Sequence, residues 1–505
     1  MKTLVKLLIA TIICVFCPFL ACAATPQNLS PQIRGAFLSA AEAKLRDSAR
    51  ASPGFWYWLD QRPQIRAGLL TSLDRVPAEF AENLDHLRLD LGPAISSKYA
   101  QLLLGVSLDN RFQHITPWPA DGAYNHSAII PPAAPVDTRI AIVADYLNQH
   151  HISLVDFVTH ADSIMKTLGL APLSQRQQAA FFDQLGYATG TYPRPEPNTL
   201  ARFLQTVIAR YETPLPAFKD KGPQWPLFPL DSAPWPLLAP MRQTLPQREL
   251  DYLWDRFNGK YGGKRLYGYG IYSWNYTKPQ IEYEVSAWDP NSLPRIIEDG
   301  GVCGRLSTLT QLSHVGLGQP AVGMYQPGHR ALILFAFDSK TRLFTADPEQ
   351  GITGPDKSTA QWFLPAPMGP RVSKDDVTGI EYQMALALSM DVGLDHYTDS
   401  RIALLMANRL PAGDIAGKES LLTTATNLNP YDLEAWYAQA RLAGSSTSAV
   451  NGLLLRLDTA LDNPHFSSPI PQRQLVVARR QSETIASIVG HEISLAKKPT
   501  GGLKK

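Results

Sequence analysis

Gly300-Gly301-Val302-Cys303-Gly304, with apolar residues at helical spacing over 305–315 behind it, decides how the centre of this chain is read. Downstream, residues 321–325 read as a short strand. Residues 329–337 form a longer run of strand formers entered through Pro327-Gly328, and 338–341 are a polar turn. Residues 342–345 are a return strand that closes at Asp347-Pro348. Helix, strand and hairpin in that order describe an α+β unit.

A thiol reacts as its thiolate, and a free cysteine with a pKa near 8.5 is mostly protonated at neutral pH. A helix N-terminus favours the anion, and an imidazole can take the proton. Cys303 stands at such a helix start, behind two glycines. Gly304 leaves the backbone N–H groups of Cys303 and Gly304 open to a substrate oxygen, the material of an oxyanion hole. His329 opens the following long strand and is the candidate base. Asp347 ends the return strand and is the candidate for holding the imidazole in its working tautomer. With a turn centred on Ser339-Lys340, His329 and Asp347 fall at one end of the hairpin, within about three positions of register. Trp274, Trp288 and Tyr325 are candidates for a substrate groove, with packing as the plainer role for each.

Gly301-Val302-Cys303-Gly304 at a helix start, Gly328-His329-Arg330-Ala331 opening a strand and Thr345-Ala346-Asp347-Pro348 closing the next resemble the transglutaminase-like superfamily. The resemblance covers about residues 266–365, roughly a fifth of the chain. It implies a papain-type fold with Cys303 as nucleophile, His329 as general base and acid, and Asp347 as orienter. The separation of 26 residues between Cys303 and His329 (329 − 303) is shorter than the resemblance implies and requires a brief connecting strand. Peptidases, amidases and cross-linking enzymes all belong to the superfamily, so the substrate stays open.

The N-terminus carries Lys2 and Lys6, then an almost unbroken apolar run over 7–20, then Ala21-Cys22-Ala23-Ala24. That order predicts a secretory signal peptide over 1–24. Its about fourteen apolar residues fall short of the roughly 20 that span a bilayer. No later stretch is long and apolar enough to span one, so a secreted or periplasmic mature chain is expected. Lipid attachment through Cys22 is the weaker alternative, because Phe19 stands where a branched aliphatic residue is usual. Cleavage after Ala24 removes Cys14, Cys17 and Cys22, leaving Cys303 as the mature chain's single cysteine. A lone cysteine in an exported chain has no internal disulfide to make.

About 480 mature residues call for two to four domains. The net charge of +2 shows no basic excess for nucleic acid. Residues 25–213 read as an all-α domain, with apolar periodicity over 32–49, 97–108, 136–149, 175–185 and 199–211. Residues 214–244 are a Pro- and Trp-rich connector that its aromatics should keep ordered. Residues 245–370 hold the papain/transglutaminase-like unit, beginning with a helix over 247–257. Residues 371–490 return to helix, and Ala425-Thr426-Asn427-Leu428-Asn429-Pro430 followed by Ala435-Trp436 resembles a junction between tetratricopeptide-type repeats. Residues 491–505 read as a disordered tail. The fold class is therefore multidomain and mostly α, with a central α+β domain and repeat-like helices at the C-terminus.

His314 lies three turns along the helix from Cys303 and is out of reach of the thiol. His150-His151 reads as a polar helix end, and neither an HExxH nor a paired CxxC motif suggests zinc. Thiol acyl transfer needs no metal or organic cofactor. The expected activity is hydrolysis or transamidation of a protein, peptide or cell-wall peptide substrate. The rival expectation is a non-catalytic scaffold that binds a protein partner through its C-terminal helices.

Overall fold

The computed structural model describes residues 29–108, 137–174, most of 181–191, 199–213, most of 225–257, 292–296 without 295, 303–326, 329–347, 379–443 and most of 446–456. For 256–257, 303–307, 323–326, 329–332, 347, 379–382 and 384 only the backbone is described. The expected signal peptide, residues 214–224 of the connector, Trp274, Trp288 and the C-terminal tail lie outside the described residues.

These residues are mostly helical with one small sheet. In chain order the helices are α1 (Pro31–Ser48), α2 (Pro53–Asp60), α3 (Pro63–Thr71), α4 (Ala78–Lys98), α5 (Ala100–Ser107), α6 (Thr138–His150), α7 (Leu154–Thr167), α8 (Leu200–Tyr211), α9 (Trp235–Leu238) and α10 (Gln247–Phe257). Then come α11 (Cys303–Gly316), strands β1 (Ala321–Gln326), β2 (His329–Asp338) and β3 (Leu343–Asp347), and helices α12 (Gly379–Val392), α13 (Leu394–Arg409), α14 (Ile415–Leu428) and α15 (Leu433–Ala443). The strands form an antiparallel sheet in the order β1-β2-β3.

The chain divides into two compact units, Ala41–Asp391 and the pair of segments Met1–Ala40 with Val392–Lys505. In the discontinuous unit, the chain entering α1 is held by α13. The Leu29 amide donates to Asp399 Oδ2 at 3.1 Å, and Arg34 pairs with Asp395 and Asp399 at 3.1 and 3.4 Å. The Arg409 guanidinium lies 4.5 Å over the Phe37 ring. At the expected repeat junction the structure has helix, turn and helix. Ser400 on α13 donates to Ala425 O at 2.9 Å, and Asp432 Oδ1 accepts from the Ala435 amide at 3.2 Å to cap α15. Trp436 Nε1 donates to Pro430 O at 2.9 Å, fixing the turn.

In the larger unit, α2 and α3 both start at prolines, whose fixed φ suits the first helical turn. The Ser52 hydroxyl caps α2 by accepting from the Phe55 amide at 3.2 Å. Helix α8 buries Ala201, Phe203, Leu204, Val207 and Ile208, one stripe at three- and four-residue spacing. The described part of the connector is in the core. Trp235 is 1% exposed, and its amide donates to Gln101 Oε1 at 3.1 Å. Its helix presses on α5, where a Cβ at Gly105 would lie 2.6 Å from the Trp235 carbonyl oxygen. Glycine is needed there for the close approach of the two backbones.

Candidate active site

Helix α11 begins at Cys303, and its far end is fixed by buried contacts. At Gly316 a Cβ would sit 3.0–3.2 Å from Leu253, Leu245 and Leu250, so α10 lies close against it. Gly318 turns the chain out of the helix at φ +83°, a conformation that favours glycine. Across this turn His314 Nδ1, in the last part of α11, lies 2.8 Å from Gln319 Oε1, and Gln319 Nε2 donates to Phe335 O at 2.9 Å. The Phe335 amide donates to Pro320 O at 3.0 Å. This buried chain joins α11 to β2, the strand that His329 opens.

Burial drives the His314 pKa down to about 4, against the smaller upward effect of its Gln319 bond. His314 thus serves as a neutral structural pin. The unfolded chain binds its proton below about pH 6.5 while the folded one does not until about pH 4, so this contribution to stability is lost as pH falls through that window. His314→Gln should therefore be less acid-sensitive than the wild type. The stability gap between them should shift by about 3 kcal/mol between pH 7 and 4, measured by urea unfolding at each pH.

The hairpin differs from its expected register. Its turn has four residues, because Asp338 pairs directly with Leu343. Asp338 Oδ1 accepts from the Lys340 and Thr341 amides at 2.8 and 3.4 Å, and the Arg342 amide donates to Asp338 O at 2.7 Å. The Lys340 amide holds the Asp338 carboxyl below the usual carboxylate range. Capping by Asp338 favours this longer loop over the two-residue turn at Ser339-Lys340. Consequently Asp347 pairs with Leu334, five positions from His329 instead of about three, or about 16 Å along the strand. Directly across from His329 stands Gln326 on β1.

The side chains of Cys303, His329, Asp347 and Tyr325 lie outside the described residues, as does the Gly304 surface. Their backbone places are clear: Cys303 and Gly304 start α11, Tyr325 is near the end of β1, His329 starts β2 and Asp347 ends β3. His150 is in the last turn of α6, and His151 is that helix's left-handed cap at φ 53°. Among the described residues, no group of three His, Cys, Asp or Glu is arranged to hold a metal, and no helix is long and apolar enough to cross a membrane.

The sequence reading did not single out Glu249 or Asp391, two acids whose carboxyls are raised to about 7. Glu249 accepts from the Leu293 amide at 2.8 Å, fixing the segment upstream of Cys303, and burial raises its carboxyl to about 7. Asp391, at the end of α12, accepts from the Phe344 amide on β3 at 2.8 Å, and burial raises it to about 7 as well. Neither belongs to a motif. A lone acid in a helical stretch gives no sequence sign of its burial. Comparison of the chain with protein-family models, with curated proteins and with solved structures gave no match.

Proposed function

We propose that the chain is an exported, thiol-dependent acyl-transfer enzyme with a papain-like, transglutaminase-related central unit. The observation that carries the proposal is the start of α11 at Cys303, where helix N–H groups and the macrodipole favour a thiolate. The order of helix, short strand, His329 strand and Asp347 strand supports it further. In this reading His329 takes the Cys303 proton as sulfur attacks a carbonyl carbon. The backbone N–H groups of Cys303 and Gly304 stabilise the oxyanion, and His329 returns the proton to the departing amine. Water then resolves the acyl-enzyme in hydrolysis, or an amine does so in transfer. In this reading Trp274, Trp288 and Tyr325 line the groove and repeat-like C-terminal helices engage a protein partner, while Asp347, five positions from His329 in the register, is too far along the strand to hydrogen-bond the imidazole directly.

The five-position offset of Asp347 favours a second reading, a scaffold whose papain-like unit no longer turns over. The two are separated by exposing the processed chain and Cys303→Ala to peptide and muropeptide libraries. Cleaved or transferred products, with an acyl adduct on Cys303, are expected from the wild type alone. Equal product profiles from both proteins would leave the scaffold.

A further inference from the structure

We infer that the first turns of α13 are a docking site for an arginine-bearing chain segment, which residues 29–38 of this chain fill as a releasable strap. The site lies within the discontinuous unit and stands apart from the acyl-transfer reading. Asp399 is its centre, with a side chain 0% exposed. Among the described residues, the groups bonded to it are the Leu29 amide, 3.1 Å from Oδ2, and the Arg34 guanidinium, 3.4 Å from Oδ1. Arg34 also reaches Asp395 at 3.1 Å, so its fork spans two carboxylates. The helix beneath is fixed. Ser400 Oγ, next to Asp399, lies 2.6 Å from Asp432 Oδ2, and the Thr398 hydroxyl donates to Leu394 O at 2.8 Å.

The strap is held more lightly than the site that receives it. None of residues 29–36 is buried, and Ile33 is 44% exposed. Phe37 and Leu38 are the buried side chains of the segment. A helix start with so little burial opens readily. Burial pushes the Asp399 carboxyl above its ordinary range, and the two largest opposing influences, Arg34 and the Leu29 amide, both come from the strap. A buried carboxylate stripped of its donors is strongly disfavoured, whereas exchange of one amide and guanidinium for another is nearly neutral. The site therefore stays filled while its occupant can change. It fits a segment that presents a free backbone N–H shortly before an arginine.

The test uses the full-length chain and an acetylated peptide of residues 29–40, which keeps the Leu29 amide N–H and carries fluorescein at its C-terminus. Two quantities are read, peptide anisotropy and hydrogen exchange at the Leu29 amide. Arg34→Ala in the chain loosens its own strap. Leu29 should then exchange about tenfold faster, and the peptide should bind about tenfold more tightly than it binds wild type. A peptide with the same Arg34→Ala change should bind the loosened chain about tenfold more weakly. Adding Asp399→Asn to that chain should erase the difference between the two peptides. Should Arg34→Ala not fold, Arg34→Gln is read in the same way. Faster Leu29 exchange without tighter peptide binding would reveal an ordinary packing contact and overturn the docking site. Unchanged Leu29 exchange would overturn the strap, and equal binding of both peptides to the loosened chain would overturn recognition of arginine.

Discussion

Replacing His329 by alanine is expected to slow iodoacetamide labelling of Cys303 at pH 6 by about 20-fold. A thiol with a pKa near 8.5 is about 0.3% ionised at that pH. Paired with an imidazole at a helix N-terminus, and brought to a pKa near 6.5, it is about 25% ionised. The helix start alone contributes a few-fold of this, since a charge at a helix end is worth about 0.3–1 kcal/mol. The imidazole must supply the remainder. Asp347→Ala should slow labelling less than His329→Ala, because the register sets five residues between the two positions. Removal of the expected signal peptide leaves Cys303 as the sole thiol, so labelling needs no background correction.

The second large effect is on stability. Trp235→Ala should destabilise the larger unit by about 3–5 kcal/mol, the cost of emptying a well-packed aromatic site. At Gly68 a Cβ would meet Trp235 Nε1 at 2.5 Å and Leu104 Cδ2 at 2.8 Å, so the indole fills a notch with no slack. Gly105→Ala attacks the same contact from the other side. Its Cβ would meet Trp235 O at 2.6 Å and Ala239 N at 2.9 Å, and both are backbone atoms that cannot rotate aside. A cost of about 1–3 kcal/mol is expected from that overpacking. Urea midpoints of the two single variants and the double variant check the pair. Coupling between them is expected because the sites touch.

Much of this architecture could be read from residue spacing. Periodicity found α10 residue for residue, and it located α8, α11 and the three strands to within a few positions. Helix α2 was missed because Phe55-Trp56-Tyr57-Trp58-Leu59 is apolar on every side and shows no stripe. Helices α3, α4 and α7 were also missed. The aromatic argument for an ordered connector holds for Trp235, but nothing local pointed to the glycine notches opposite it.

Long-range pairing was the least legible level. Arg34 with Asp395 and Asp399 joins residues more than three hundred positions apart, and no spacing rule reaches that far. The hairpin register went astray for a local reason, the capping of Lys340 and Thr341 by Asp338. The candidate nucleophile and base were readable because helix and strand starts carry glycine and proline signals. Glu249 and Asp391 were not, since burial is decided by the whole fold.

The activated sulfur is tested most directly by an experimental structure of the processed chain in its reduced state. The account predicts Cys303 Sγ within about 4 Å of a His329 ring nitrogen, allowing for the looser geometry of a substrate-free site. A thiol enclosed by apolar side chains, with the imidazole turned toward another partner, would contradict it.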